Sequence, residues 1–329
     1  MKKLSFNSKH YPVFVTLGLF LVMYLFGSAK YTGFSSPQVF FNLFIDNAFL
    51  IIVAVGMTFV ILSGGIDLSV GSVIALTSMV TASLIENAQL SPWIVLPIAL
   101  LIGTTLGLIM GCLIHFYNLQ PFIVTLAGMF LARGLSYLIS VETIAITNPF
   151  FQYVASTKLY FGEFFISISV IIAIIVILAA VFIAHYTKFG RTIYAIGGSE
   201  QSALLMGLPV GRTKILIYTM SGFCSSLAGI VFTFYMLSGY GLHANGLELD
   251  AIAAVVIGGT LLTGGVGYVA GSVVGVLILG IIQTLIVFEG TLSSWWTKIA
   301  IGVLLLLFIV FQRVSVLRTE NKKVTISQH

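Results

Sequence analysis

Charge is what this sequence has least of. Asp, Glu, Lys and Arg together make up 8% of its 329 residues, against about 25% in soluble domains. A chain this poor in charge cannot clothe itself for water, so a soluble enzyme is excluded. The net charge of +5 does not point to nucleic acid, because the basic residues gather in a few loops. Cysteine is nearly missing: Cys112 and Cys224 stand alone in apolar segments and form neither a disulfide framework nor a metal spacing. No G-x-x-x-x-G-K-S/T loop is present, so the chain is not expected to bind ATP itself. No Ser/His/Asp arrangement and no His/Cys cluster is visible, and His10, His115, His185, His243 and His329 are scattered at segment ends and loops. Catalytic residues, a metal and a resident cofactor are therefore not expected. Nor does a series of carboxylates cross the apolar runs, which leaves a proton or sodium relay without support.

What is there is hydrophobic sequence, 59% of the chain, in long continuous runs rather than the short alternating segments of a membrane barrel. The expected fold is all-α: a single polytopic membrane domain over residues 1–329. With roughly 20 apolar residues per span, about ten spans are expected, near 11–27, 45–62, 67–85, 92–115, 121–139, 164–184, 214–237, 249–263, 269–288 and 296–312. The spans near 67–85 and 249–263 are short or polar enough to be partial or re-entrant. The first run, after Lys2, Lys3 and Lys9 and ending near Gly27-Ser28-Ala29, has the look of a signal peptide; in a polytopic chain it reads as a retained first helix.

Basic residues orient such a chain, because Lys and Arg concentrate on the cytoplasmic side. They cluster at the N-terminus, at 185–214 (Lys188, Arg191, Arg212, Lys214) and in the tail (Arg313, Arg318, Lys322, Lys323). An even number of spans puts all three clusters inside, hence N-in and C-in. Glu86, Glu142, Glu163, Glu248 and Glu289 then fall outside, with Trp93, Trp295 and Trp296 at outer span ends as interfacial anchors.

Two glycine turns interrupt the apolar runs: Ser63-Gly64-Gly65-Ile66-Asp67-Leu68-Ser69 and Thr263-Gly264-Gly265-Val266-Gly267. Consecutive glycines break a helix and admit left-handed backbone. Irregular backbone inside a bilayer survives only where protein or an aqueous cavity covers it. The turns are therefore either walls or hinges of a pathway, or tight turns between adjacent helices. Their likeness, with poorly matched flanks, is a weak sign of an internal repeat. Asn47, Asp67, Ser69, Gln283 and Lys298 are further pathway candidates, by polarity inside apolar runs; helix–helix hydrogen bonding is the plainer role for each. Asp67 could equally cap the helix that follows it, and Arg133 could snorkel to the outer interface.

The long inner loop, 185–213, has its own signals. Ser199 is suited to N-cap a short helix through Met206 that Gly207 would close. That helix would present Ala203, Leu204 and Met206, which are apolar for a cytosolic surface. Such a patch usually marks a contact, here with a cytoplasmic partner or with the membrane surface.

At these residues the chain resembles a known family. Val60 to Ser72, Pro121 to Met129 with Ala132-Arg133-Gly134, Gly190 to Gly207, and Leu249 to Thr260 with Gly264 to Gly267 occur in the order found in permease subunits of bacterial ABC importers for monosaccharides, the ribose/xylose/galactose type. Gly290 to Gly302 is similar to the permease of galactofuranose importers. The resemblance implies a bacterial inner-membrane protein that moves a sugar, galactofuranose by its nearest likeness, with ATP and Mg bound by a separate cytoplasmic ATPase. It implies a second, homologous permease chain (a heterodimer, or else a homodimer), a periplasmic sugar-binding protein and membrane lipid as further partners, and no nucleic acid. It also implies that Gly190, Arg191, Tyr194, Gly197, Ser199, Ala203, Leu204, Met206 and Gly207 belong to the segment that couples to the ATPase. The competing classes are an ion-coupled secondary sugar transporter and a membrane assembly protein without transport.

Overall fold

The computed structural model describes residues 11–293 and 295–327. Lys2, Lys3 and Lys9, on which part of the expected orientation rests, lie outside the described residues, as do the side chains of Arg313, Arg318, Lys322 and Lys323. The described chain is a bundle of helices: α1 (Tyr11–Lys30), α2 (Pro37–Asp46), α3 (Ala48–Leu62), α4 (Val70–Ala82), α5 (Pro92–Phe116), α6 (Pro121–Ile139), α7 (Pro149–Ser156), α8 (Ile168–Tyr186), α9 (Lys188–Gly198), α10 (Glu200–Leu205), α11 (Val210–Met236), α12 (Leu247–Ile257), α13 (Val269–Glu289) and α14 (Trp295–Ser327). Two small antiparallel sheets complete it: β1 (Ile144–Ala145) pairs with β4 (Ser238–Gly239), and β2 (Lys158–Phe161) forms a hairpin with β3 (Phe164–Ser167).

Counting α4 together with the π-helical turn Ser83–Asn87 that extends it, eight described helices are long and apolar enough to cross a membrane, or nine if α2 and α3, bent by 57°, count as one broken span. Asn47 sits at that bend, its side chain donating to the Leu43 carbonyl at 2.9 Å. The expected spans at 92–115, 121–139 and 269–288 coincide with α5, α6 and α13. Three expectations need correction. Residues 164–167 are strand β3, so that span starts at Ile168. The inner segment is two consecutive helices, α9 and α10, rather than a loop around one. The span near 249–263 is α12, with only 11 residues; at about 1.5 Å per residue it covers about 16 Å, half of a ~30 Å bilayer core.

The core is built around α3 and α11. Helix α3 is apolar on every face and buried along nearly its whole length, as a helix surrounded by others should be. Helix α11 lies against α5 along a seam of small residues. Gly103, Gly107 and Gly111, one turn apart on α5, face Gly222, Ser226 and the backbone of Tyr218 and Ile215; a Cβ at Gly103 would come within 2.6 Å of the Gly222 carbonyl oxygen. Side chains this small let two backbones touch, which is how helices associate where lipid removes the hydrophobic incentive.

Contacts sort the helix ends into two sets. Near one end, Thr16 in α1 donates to the Ile257 carbonyl at 2.6 Å, and Gln312 in α14 donates to the Val256 carbonyl at 3.0 Å. The start of α1 and the later part of α14 thus share an end with the close of α12 and with both glycine turns. At the opposite end Lys30 pairs with Glu289 at 2.7 Å, and Trp93, Trp295 and Trp296 are exposed.

Candidate coupling junction and polar core

The two glycine turns, 200 residues apart in sequence, meet in space. Leu62, at the close of α3, accepts a hydrogen bond through its carbonyl from the Gly265 N–H at 2.9 Å. Gly64, Gly264 and Gly265 all have positive φ, at 83°, 85° and 76°, which only glycine adopts without penalty. A third strand of backbone wedges between them. A Cβ on Gly197, in the last turn of α9, would strike the Leu62 carbonyl and the Gly265 nitrogen, and one on Gly264 would lie 2.8 Å from the Gly64 nitrogen and 3.0 Å from the Gly197 Cα. Backbones from α3, α9 and the segment before α13 therefore touch with no side chain between them.

Helix α9 is held there at both ends. Thr187 caps it, accepting from the Gly190 N–H at 3.1 Å, and Gly190 packs directly on the Ile183 and Ala184 carbonyls at the close of α8. Tyr194 donates its hydroxyl to the Gly267 carbonyl at 2.8 Å, and burial pushes its phenol up to about 12. Helix α10 follows: Ser199 accepts from the Ser202 N–H at 3.2 Å, and Gly207 closes the helix with φ 74°. Lys214 pairs with Glu200 at 2.6 Å. Arg191 is exposed. Ala203 departs from expectation: it is fully buried beside Ile196 and Val210, because a short helix must bury one face to stay docked. The outward apolar patch is Leu204, Leu205 and Met206, which are 56%, 85% and 65% exposed. Leu205 was missed, although a run of three large apolar residues before a glycine stop marks it.

Asp67 is fully buried. One carboxylate oxygen accepts from the Ser69 N–H at 2.9 Å and the Ser69 hydroxyl at 2.6 Å, and the other accepts from the Ser221 hydroxyl of α11 at 2.6 Å. It thus folds its own turn and ties that turn to α11. Gly65 lies against the Tyr218 hydroxyl, and Thr125 of α6 donates to the Ile66 carbonyl at 3.2 Å. The other polar candidates do not join this group. Asn47 stays at the α2–α3 bend against Gly280. Gln283 is exposed on α13, away from this group. Lys298 pairs with Asp250 at 2.6 Å with half its side chain exposed. Among the described residues no group of three or more His, Cys, Asp or Glu is placed to hold a metal ion.

A second polar group escaped sequence reasoning. Arg133 does not snorkel: its Nη1 donates to the carbonyls of Gly241 and His243 at 2.6 and 2.8 Å. It holds a non-helical segment, 238–246, that runs back along α4. Gly239 packs against the Ser78 carbonyl near the far end of α4, and the Ala244 carbonyl and the Glu248 carboxylate face Gly71 in its first turn. Between those points α4 advances about seven residues, or about 10 Å. Residues 238–246 are thus a short strand followed by a run of turns, and they lead into the half-length helix α12. The cue in the sequence was Ser-Gly-Tyr-Gly and Asn-Gly ahead of an apolar run too short to span.

These features define a class: a multi-pass helical membrane protein whose span-breaking turns are locked to a helical segment at one end of the bundle. Comparison with known proteins gives the particular family. Residues 39–309 match the family described as branched-chain amino acid transport system / permease component, and the chain belongs to it. It is 50% identical over 96% of both chains to the inner membrane ABC transporter permease protein YjfF of Escherichia coli K12. It is 44% identical to the fructose import permease protein FruG of Bifidobacterium longum, over 92% of this chain and 90% of that one, and 38% identical to the ribose import permease protein RbsC of Bacillus subtilis, over 95% and 96%. No solved structure matches.

Proposed function

We propose that this chain is the membrane permease of an ATP-driven importer that carries a monosaccharide, galactofuranose in particular, across the bacterial inner membrane. The observation that carries the reading is the contact of Gly197 with both glycine turns. A force applied at α10 passes through α9 to the close of α3 and the segment between α12 and α13, without an intervening flexible side chain. On this reading α9 and α10 face the cytoplasm, with the start of α1 and the end of α14 on the same side. The patch of Leu204, Leu205 and Met206 docks a separate ATPase, which holds ATP and Mg. A second, homologous permease completes the pathway, and a periplasmic binding protein delivers the sugar at the opposite end. The relatives named for ribose and fructose import support a sugar as cargo, and the similarity of Gly290 to Gly302 to galactofuranose permeases supports the furanose. Alternation between outward and inward states is then a population shift driven by the partners' unequal affinity for the two.

The test is reconstitution. The chain, its co-purified permease and ATPase, and the sugar-binding protein would be placed in liposomes and given radiolabelled D-galactose, whose solutions contain the furanose form, beside D-ribose and D-fructose. ATP-dependent accumulation of galactose above the other two is expected. Uptake driven by an ion gradient without ATP would replace the reading with a secondary transporter, and ATP-dependent uptake favouring ribose or fructose would keep the importer and remove the furanose.

A further inference from the structure

The start of α4 and the start of α12 point at each other inside the bundle. Gly71, the second residue of α4, touches the Glu248 carboxylate, the second residue of α12, and lies where a Cβ would be 2.6 Å from the Ala244 carbonyl oxygen. Both helices begin only after non-helical backbone has entered the bundle, from opposite ends: residues 65–69 before α4, and 238–246 before α12. Neither start carries a side-chain cap from its N-cap residue, Ser69 or Gly246. Two helix N-termini, each a positive dipole end, thus share one locus, and the first-turn N–H groups of α4 face it.

Glu248 is the independent sign that this locus serves a ligand. Its residue is 8% exposed. Its Oε2, turned toward Gly71, has no hydrogen-bond partner among the described residues. Two more buried polar atoms nearby are unpartnered: the Ser72 hydroxyl, in the same turn of α4, and Nδ1 of His243. Buried polar atoms are almost always satisfied, and leaving one unpaired is costly. Three such atoms around two facing helix starts describe a place that is complete only when something else is present.

We infer that this meeting point is a contact site for the hydroxyl groups of the transported sugar, with Glu248 as the principal acceptor and Ser72 and the first-turn N–H groups of α4 as donors. The inference rests on the importer reading above. The chemistry selects a neutral polyol. A sugar hydroxyl both donates and accepts, matching a free carboxylate oxygen beside free N–H groups. A free anion would be repelled by Glu248. A cation would be disfavoured by two positive helix ends and by Arg133, whose guanidinium is committed to the Gly241 and His243 carbonyls. Because Gly71 and Glu248 are in contact, the site is shut in this conformation. Parting α4 from α12 opens it, and both are tied to the junction at Gly64 and Gly264 that α9 grips, α4 through residues 65–69 before it and α12 through residues 258–263 after it.

The experiment uses the complete importer in liposomes. Glu248→Gln keeps size and shape while replacing one acceptor oxygen with a donor, and the readout is sugar accumulated per ATP hydrolysed. A fall of at least about tenfold is expected, the size of losing a hydrogen bond to a charged group. In parallel, Ser72→Cys, in a chain carrying Cys112→Ser and Cys224→Ala, is exposed to a charged, water-soluble methanethiosulfonate. Modification at least about tenfold faster in the vanadate-trapped state than at rest is expected, since a pathway residue meets water in one state only. A wild-type ratio in Glu248→Gln, or an introduced thiol equally unreactive in both states, overturns the site. If the unsubstituted complex accumulates no sugar with ATP, the importer reading itself has failed, and the site with it.

Discussion

The two glycine turns are near copies that have been anchored to different parts of the molecule. Both use a left-handed glycine after an apolar helix. They diverge three residues later. The first has Asp67, which reaches into the bundle and is held by Ser221 of α11. The second has Gly267 at the matching position, whose carbonyl is held by Tyr194 of α9. One turn is therefore fastened to a core helix, α11, and the other to the segment that carries the exposed apolar patch. On the proposed importer reading, converting a push at the surface into movement of a pathway needs both a fixed point and a driven one. The carboxylate at residue 67 would make the first, and its absence at residue 267 would leave room for the second.

This comparison can be broken from either side. The largest effect is expected from Gly197→Val, which forces a branched side chain into the Leu62 carbonyl and the Gly265 nitrogen; overpacking of this kind costs about 1–3 kcal/mol or more, and here the obstacle is rigid backbone. Thermal unfolding in detergent should show a clear loss of stability, and transport should vanish. Asp67→Ala should follow at about 2–3 kcal/mol, since it removes charge-assisted bonds and strands the Ser221 hydroxyl. A double-mutant cycle with Ser221→Ala should show that most of that cost is shared, and additive losses would show that Asp67 does not anchor the turn to α11.

Tyr194→Phe should cost about 1 kcal/mol in stability yet reduce sugar moved per ATP several-fold, because it frees the driven turn from α9. Its signature is pH. The phenol titrates near 10 when free, and burial pushes it up to about 12 in the folded chain, so the stability gained by burying it neutral is full below about pH 10 and is lost as pH rises from about 10 to 12. The Phe variant should lack that component of the alkaline decline. The most local effect is expected from Gly207→Val, at a left-handed position with open space around it, where a β-branched residue strains the stop of α10 by about 1–2 kcal/mol. It should leave insertion intact and uncouple ATP hydrolysis from uptake; normal uptake would remove α10 from the coupling path.

Much of this was legible in the residues. The long helices α5, α6 and α13 follow directly from apolar run length and their flanking Pro, Gly and polar stops. Ser199 and Gly207 mark the limits of α10, since caps are local chemistry. What was not legible depends on contacts between distant residues. Helix α9 has a modest composition and is held in place by Gly197 and Tyr194 meeting turns far along the chain. The likeness of the glycine turns did not reveal that they touch. Arg133 looked like an interfacial anchor because its true partners, the carbonyls of 241 and 243, carry no side-chain signature. The identity of Ala203 alone did not show which side of a two-turn helix faces inward.

The most direct test of the central claim is a mild-detergent purification of the tagged chain from its native membrane, read by mass spectrometry, beside the variant Leu205→Glu. Leu205 is 85% exposed and contributes no core contact, so the substitution leaves the bundle intact while placing a charge in the apolar patch. The unsubstituted chain should bring down an ATPase and a second permease; Leu205→Glu should keep the permease and lose the ATPase. Recovery of the ATPase with both chains alike would contradict the claim that α10 is where the driving force enters.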